Sequence, residues 1–137
     1  MATKRYYSCG CGPKRCWSLF DALRDFKSRD TQKCKVCGKR AELHLVLPFG
    51  LGAGSPDCTV FSVFAPSELE YWLDKDGKRV TFFPFLVILK RNNKLACWQP
   101  YWHVKYNKKK YGQWASFMSK TIFQDLLLQA RKAGYLR

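Results

Sequence analysis

The run Arg79-Val80-Thr81-Phe82-Phe83-Pro84-Phe85-Leu86-Val87-Ile88-Leu89, then Arg91-Asn92-Asn93-Lys94, then Leu95 to Tyr106, decides the fold class. The first part is aromatic and β-branched, the side chains that fit a pleated, half-buried surface. Pro84 has no N–H to give to a ladder, so an edge position or a bulge is expected there. Two asparagines between apolar runs signal a hairpin, because asparagine tolerates the left-handed backbone of a tight two-residue turn. An antiparallel sheet is therefore expected in this part of the chain. Along Leu95–Tyr106, alternation places Ala96, Trp98, Pro100, Trp102, Val104 and Tyr106 on one face, which reads as a core face. Leu95, Cys97, Gln99, Tyr101, His103 and Lys105 fall on the other.

Toward the C-terminus, Ser119 precedes a helical pattern from about Lys120 to Ala133 that Gly134 stops. Ile122, Phe123, Leu126, Leu127 and Ala130 form its expected buried stripe. Toward the N-terminus, Asp74-Lys75-Asp76-Gly77 is a turn and Cys58–Ala65 a further strand. Residues 48–57 hold three glycines and two prolines, which makes them a connector. Gly50-Leu51-Gly52-Ala53-Gly54 lacks the Gly-Lys-Ser/Thr ending of a phosphate loop, and a strand rather than a helix follows it. Before the connector, Ala41–Leu47 reads as a short strand. Ser18 with Asp21 reads as a helix start, followed by Leu19, Phe20, Leu23 and Phe26 at helical spacing over about ten residues.

Five of the seven cysteines lie within the first 37 residues. Cys34-Lys35-Val36-Cys37-Gly38-Lys39-Arg40 is a hook of two thiols with a glycine after the second, and Cys9-Gly10-Cys11-Gly12 is a second such cluster. Four thiolates held this way suit one Zn²⁺ in a closed, structural site. The second hook resembles the zinc-ribbon family, whose knuckles read Cys-x-x-Cys-Gly with basic residues next. The resemblance covers only about the first 45 residues and implies a zinc-ribbon-like module. The first hook departs from the pattern, since Cys9 and Cys11 are separated by one residue. The ligand set is expected to be Cys9, Cys11, Cys34 and Cys37, with Cys16 as the rival in the first hook. Cys58 and Cys97 lie in strand-like runs and read as buried thiols. The architecture expected overall is α+β. Residues 1–47 are the zinc-ribbon-like module and 48–57 the connector. Residues 58–137 are an antiparallel sheet with a C-terminal helix packed on it.

The net charge is +15, unevenly spread: +8 over residues 1–40, −5 over 41–77 and +12 over 78–137. Clustered Lys and Arg point to a polyanionic partner, because phosphate contacts release counterions. Residues 94–117 interleave aromatic rings with lysines, a mixture suited to bases and phosphates together. The residues expected to contact nucleic acid, DNA or RNA, are Lys14, Arg15, Lys39, Arg40, Tyr101, His103, Lys105, Lys108, Lys109, Lys110, Tyr111 and Trp114. Asn107-Lys108-Lys109-Lys110 is read as a turn. No run approaches the ~18 apolar residues of a membrane span. Met1–Arg5 has no apolar signal region behind it, so a cytoplasmic protein is expected.

Three functions compete at this point. The first is a non-catalytic nucleic-acid-binding protein with a structural zinc. The second is a protein-interaction adaptor whose partner docks on the acidic middle and exposed aromatics. The third is a nuclease-like enzyme using His44 or His103 as base, a weak likeness to the HNH-type nucleases. For that family the adjacent second histidine is missing, and Leu45 stands in its place. No catalytic constellation can be assembled from the chain, and the binding reading leads.

Overall fold

The computed structural model describes residues 18–26, 33–34, 37–46, 57–112 and 118–137, together with the backbone of 4–8 and 14–15. The elements run β1 (Lys4–Ser8), β2 (Lys14–Arg15), α1 (Leu19–Asp25), β3 (Glu42–Val46), β4 (Asp57–Phe64), β5 (Glu70–Leu73), β6 (Arg79–Pro84), β7 (Leu86–Arg91), β8 (Lys94–Trp98), β9 (Tyr101–Lys105), β10 (Lys108–Tyr111) and α2 (Lys120–Lys132). They form two antiparallel sheets and two helices, an α+β protein. Two compact units divide the chain. Met1–Val63 with Val87–Cys97 carries α1 and the strand order β2-β1-β3-β4-β7-β8. Phe64–Leu86 with Trp98–Arg137 carries α2 and the order β10-β9-β6-β5.

The long apolar run over 79–89 is two strands rather than one. β6 belongs to the four-stranded sheet and β7 to the six-stranded one, with Phe85 between them. Residues 95–106 are divided in the same way, into β8 and β9 around Gln99-Pro100. The physical reason is proline: Pro84 and Pro100 have no N–H to give to a ladder, so β6 ends at Pro84 and β9 begins only after Pro100. The carbonyl of Pro100 instead accepts the Phe85 N–H at 2.9 Å. Pro84 thus ends an interior strand, paired with Tyr101, and does not mark a sheet edge. Between β7 and β8, Asn92 (φ 48°) and Asn93 (φ 62°) both take the left-handed conformation that a tight hairpin requires.

In the first unit, alternation is obeyed. Leu43 and Leu45 of β3 are fully buried and pair with Val60 and Cys58 of β4, also fully buried. β7 lies between β4 and β8, and Leu86 to Leu89 are all buried, as in a strand covered on both faces. α1 is capped by Ser18, whose hydroxyl accepts the Asp21 N–H at 3.0 Å. It spans seven residues and buries Phe20, Ala22 and Leu23. The expected burial of Cys97 does not hold. β8 is an edge strand, and Lys94, Leu95 and Cys97 are exposed on it, whereas Cys58 is buried as expected.

In the second unit, α2 runs between a Ser119 cap on the Ile122 N–H (3.1 Å) and Gly134 at φ 87°. Tyr135 N–H bonds the Ala130 carbonyl and Gly134 N–H that of Arg131, both at 3.0 Å, which closes the helix with a left-handed glycine cap. Ile122, Leu126 and Ala130 form the buried stripe, narrower than expected, since Phe123 is 41% exposed. Burying Ile122 and Leu126 contributes roughly 1.5–3 kcal/mol each. Three polar ties fasten the helix to the strand approach. Gln129 Nε2 donates to the Ala65 carbonyl (2.8 Å), Ser67 N–H to Asp125 (2.6 Å) and Ser119 Oγ to Glu70 (2.5 Å).

Candidate nucleic-acid interface

The second cysteine hook is built as a tight turn. Gly38 N–H donates to the Cys34 carbonyl at 2.9 Å, Cys34 N–H donates to the Lys39 carbonyl at 2.7 Å, and a Lys33–Arg40 bridge closes the loop. Gly38 sits at φ +70° with open space around its α-carbon, so conformation and not crowding demands the glycine here. Cys34 is buried, while Cys37, Lys39 and Arg40 are exposed. Two soft thiols on one turn suit a thiolate-binding metal. Cys9, Cys11 and Cys16 lie outside the described residues, as do Trp114 and the side chains of Lys14 and Arg15. Among the described residues, no group of three or more His, Cys, Asp or Glu is placed to hold a metal ion.

In the four-stranded sheet the register determines which side chains share a surface. Phe82 pairs with His103, which pairs with Lys110; Thr81 pairs with Val104, which pairs with Lys109. Residues 108–110 are therefore not a turn. They form edge strand β10, all three lysines are exposed, and the turn is Tyr106-Asn107.

Tyr101 and Trp102 of β9 lie on opposite faces as expected, but the face of Tyr101 is not open at that ring. Tyr101 and Trp102 are both buried, at 6% and 5% exposure. Pairing Tyr101 with Pro84 and Trp102 with Phe83 turns one ring toward each side of the sheet. Trp102 meets Phe85 and Tyr111 at centroid distances of 5.7 and 5.2 Å. Tyr111 is half-buried, and burial, then the nearby Tyr101, pushes its phenol above the usual range. His103 stands among Trp72 (5.2 Å), Tyr101 (5.5 Å) and Phe82 (6.2 Å). Lys105 pairs with Asp74 at 2.5 Å, which raises the ammonium and lowers the carboxyl from their ordinary values.

The exposed rings of this sheet that carry cations come from outside the predicted set. Tyr71 on β5 is 55% exposed, and the guanidinium of Arg79 lies 3.9 Å from the centre of its ring. Tyr71 pairs with Thr81 and Leu73 with Arg79, so this stack is a diagonal cross-strand contact on one sheet face. Tyr106, 70% exposed, has Lys78 Nζ at 5.9 Å from its ring centre. Its φ of 55° is a left-handed conformation that a bulky side chain rarely adopts. Among the described residues, no carboxylate pairs with Arg79, Lys78, Lys108 or Lys110. Sequence reading passed over Tyr71, Lys78 and Arg79 because they sit beside the acidic turn Asp74–Asp76. Their one available signal was the strand-like Glu70-Tyr71-Trp72-Leu73 flanking that turn.

His44 is enclosed by carboxylates. Its Nδ1 lies 3.3 Å from Asp57 Oδ1, its Nε2 lies 3.5 Å from Glu42 Oε2, and its side chain is 17% exposed. With both ring nitrogens facing acids, His44 has the surroundings of a satisfied structural histidine. No helix among the described residues is long and apolar enough to cross a membrane. Comparison with protein-family models, with curated proteins and with solved structures gives no match for this chain.

Proposed function

We propose that this protein binds nucleic acid through the four-stranded sheet, with a zinc ion holding the first module in shape. The observation that carries this reading is where the cations of that sheet rest. Arg79 and Lys78 lie on exposed tyrosine rings and not on acids, and β10 presents three exposed lysines in the same sheet. Arg79, Lys78, Lys108 and Lys110, kept off carboxylates among the described residues, remain available to phosphates, and a guanidinium stacked on a ring keeps its N–H fork for them. Lys108, Lys109 and Lys110 are retained from the predicted contact set. Lys105, committed to Asp74, and the buried Tyr101 act instead in holding the sheet. Lys39 and Arg40 are exposed on the cysteine hook and supply further positive charge. For the metal, Cys34 and Cys37 offer two thiolates, with Cys9 and Cys11, or Cys16 in place of one, completing the sphere.

Anisotropy titration of labelled DNA and RNA tests the function. Binding is expected at ~50 mM salt, weakening as salt rises. Absence of retention on any nucleic acid at that salt overturns the proposal.

A further inference from the structure

We infer that the ligand of this surface is single-stranded, its bases stacking on Tyr71 and Tyr106 while Arg79 and Lys78 meet the adjoining phosphates; this deepens the nucleic-acid reading above and rests on it. The argument begins with exposure. In this sheet Phe82, Tyr101 and Trp102 are all buried, whereas two tyrosines leave ring surface open to a stacking partner. Tyr71 and Tyr106 are 55% and 70% exposed.

Each of these rings also has a cation on it, Arg79 at 3.9 Å and Lys78 at 5.9 Å, so one ring-plus-cation pair lies on the sheet and a second on the turns that join its strands. A nucleotide presents a matching pair of groups, a flat base and a charged phosphate. In a duplex the base faces are already stacked on one another, and only edges and phosphates are reachable. An exposed tyrosine gains little from such a partner. In a single strand the faces are open, and aromatic stacking tolerates any sequence because every base has one.

The backbone adds an independent observation. Tyr106 is held at φ 55°, where a β-carbon is crowded and glycine or asparagine is the ordinary occupant. Asn107 follows it in the same turn, yet the strained position carries the ring. Strain of this kind gathers where a side chain is presented for use.

The test is anisotropy titration of a labelled single strand of about a dozen nucleotides, as DNA and as RNA, against the duplex of the same sequence. The wild-type chain, Tyr71→Ala, Tyr106→Ala and Tyr71→Phe are compared. The single strand is expected to bind more tightly, and each alanine variant to weaken it roughly 5- to 150-fold, the range that stacking of one base provides. Tyr71→Phe, which keeps the ring, is expected to bind like the wild type. Tyr106 lies in an exposed turn, so its variant gives a reading even where Tyr71→Ala disturbs the edge strand. Duplex bound as tightly as single strand, with both alanine variants unchanged, overturns the inference and leaves the nucleic-acid reading standing. Binding to neither ligand removes both.

Discussion

The ring of Tyr101 occupies the space that a β-carbon on Gly112 would need: such an atom would stand 1.9 Å from Cε2 and 2.1 Å from Cζ. The two residues are also joined through the backbone, with Gly112 N–H donating to the Tyr101 carbonyl at 2.9 Å. Tyr101 is buried, with Phe82 at a centroid distance of 5.6 Å, so moving its ring would disturb the packing around it. Gly112→Ala is therefore expected to destabilise the chain by about 1–3 kcal/mol, the usual penalty for overpacking. Urea unfolding monitored by tryptophan fluorescence measures this. An unchanged midpoint would show that the ring can yield.

Tyr106→Gly should act in the opposite direction on stability. Relieving a left-handed tyrosine is worth about 1 kcal/mol, since an L side chain at that φ costs roughly 1–2 kcal/mol and glycine does not bear it. The same change removes an exposed ring from the proposed interface. The expected outcome is a higher unfolding midpoint together with weaker nucleic-acid binding. A variant that loses both stability and affinity would contradict this account of the turn.

Asp125 makes the fold sensitive to acid. The Ser67 backbone N–H is the main influence holding its carboxyl below the ordinary range, with Gln129 and the Ser67 hydroxyl adding to it. Because folding favours the ionised form, the contribution is fully present above the unfolded value of about 3.9. It is lost as pH falls through the lower folded value. Wild-type stability should therefore decline more steeply below about pH 4 than that of Asp125→Asn. Paired urea titrations at pH 3 to 6 provide the check, and parallel curves would count against the assignment.

Lys108 and Lys110 should be visible in the salt dependence. Each phosphate contact contributes about 0.7 to the slope of log K against log salt for a single strand. The double variant Lys108→Ala, Lys110→Ala is expected to lower that slope by about 1.4 while affinity falls for all sequences alike. An unaltered slope would place these lysines outside the contact.

If the proposed zinc site is filled, chelation should unfold the first module and spare the four-stranded sheet. Binding to such a thiolate site is worth ~10–16 kcal/mol near neutral pH, more than a small module's own stability. Metal analysis is expected to find about one zinc per chain, the stoichiometry of a single four-thiolate site. Cys34→Ser and Cys37→Ser should each abolish it. Full occupancy in both variants would remove these cysteines from the ligand set.

Much of the local structure was legible before any coordinates. The Ser18 and Ser119 caps, the Gly134 stop, the Asn92-Asn93 hairpin and the Asp74–Gly77 turn all appear where the sequence places them. Each rests on hydrogen bonds or backbone angles within a few residues, so neighbouring side chains carry the whole signal. β3 and β4 were legible as strands for the same reason, since a short apolar, β-rich run is a local pattern.

The candidate site was legible only in its charge. Lys108 to Lys110 were identified as cations, but their strand was taken for a turn, and the exposure of the rings in this sheet was not legible. Tyr101 looked like a binding residue and is buried; Tyr71 drew no attention and is exposed with Arg79 upon it. Composition and local spacing thus determined an α+β chain with capped helices, hairpins and a basic C-terminal part. Tertiary structure alone decided that the chain changes sheets around Pro84 and Pro100, and with that which ring of each strand meets solvent. The physical reason is pairing: the face a strand residue presents depends on its partner strand and on what covers that face, and both are contributed by residues distant along the chain.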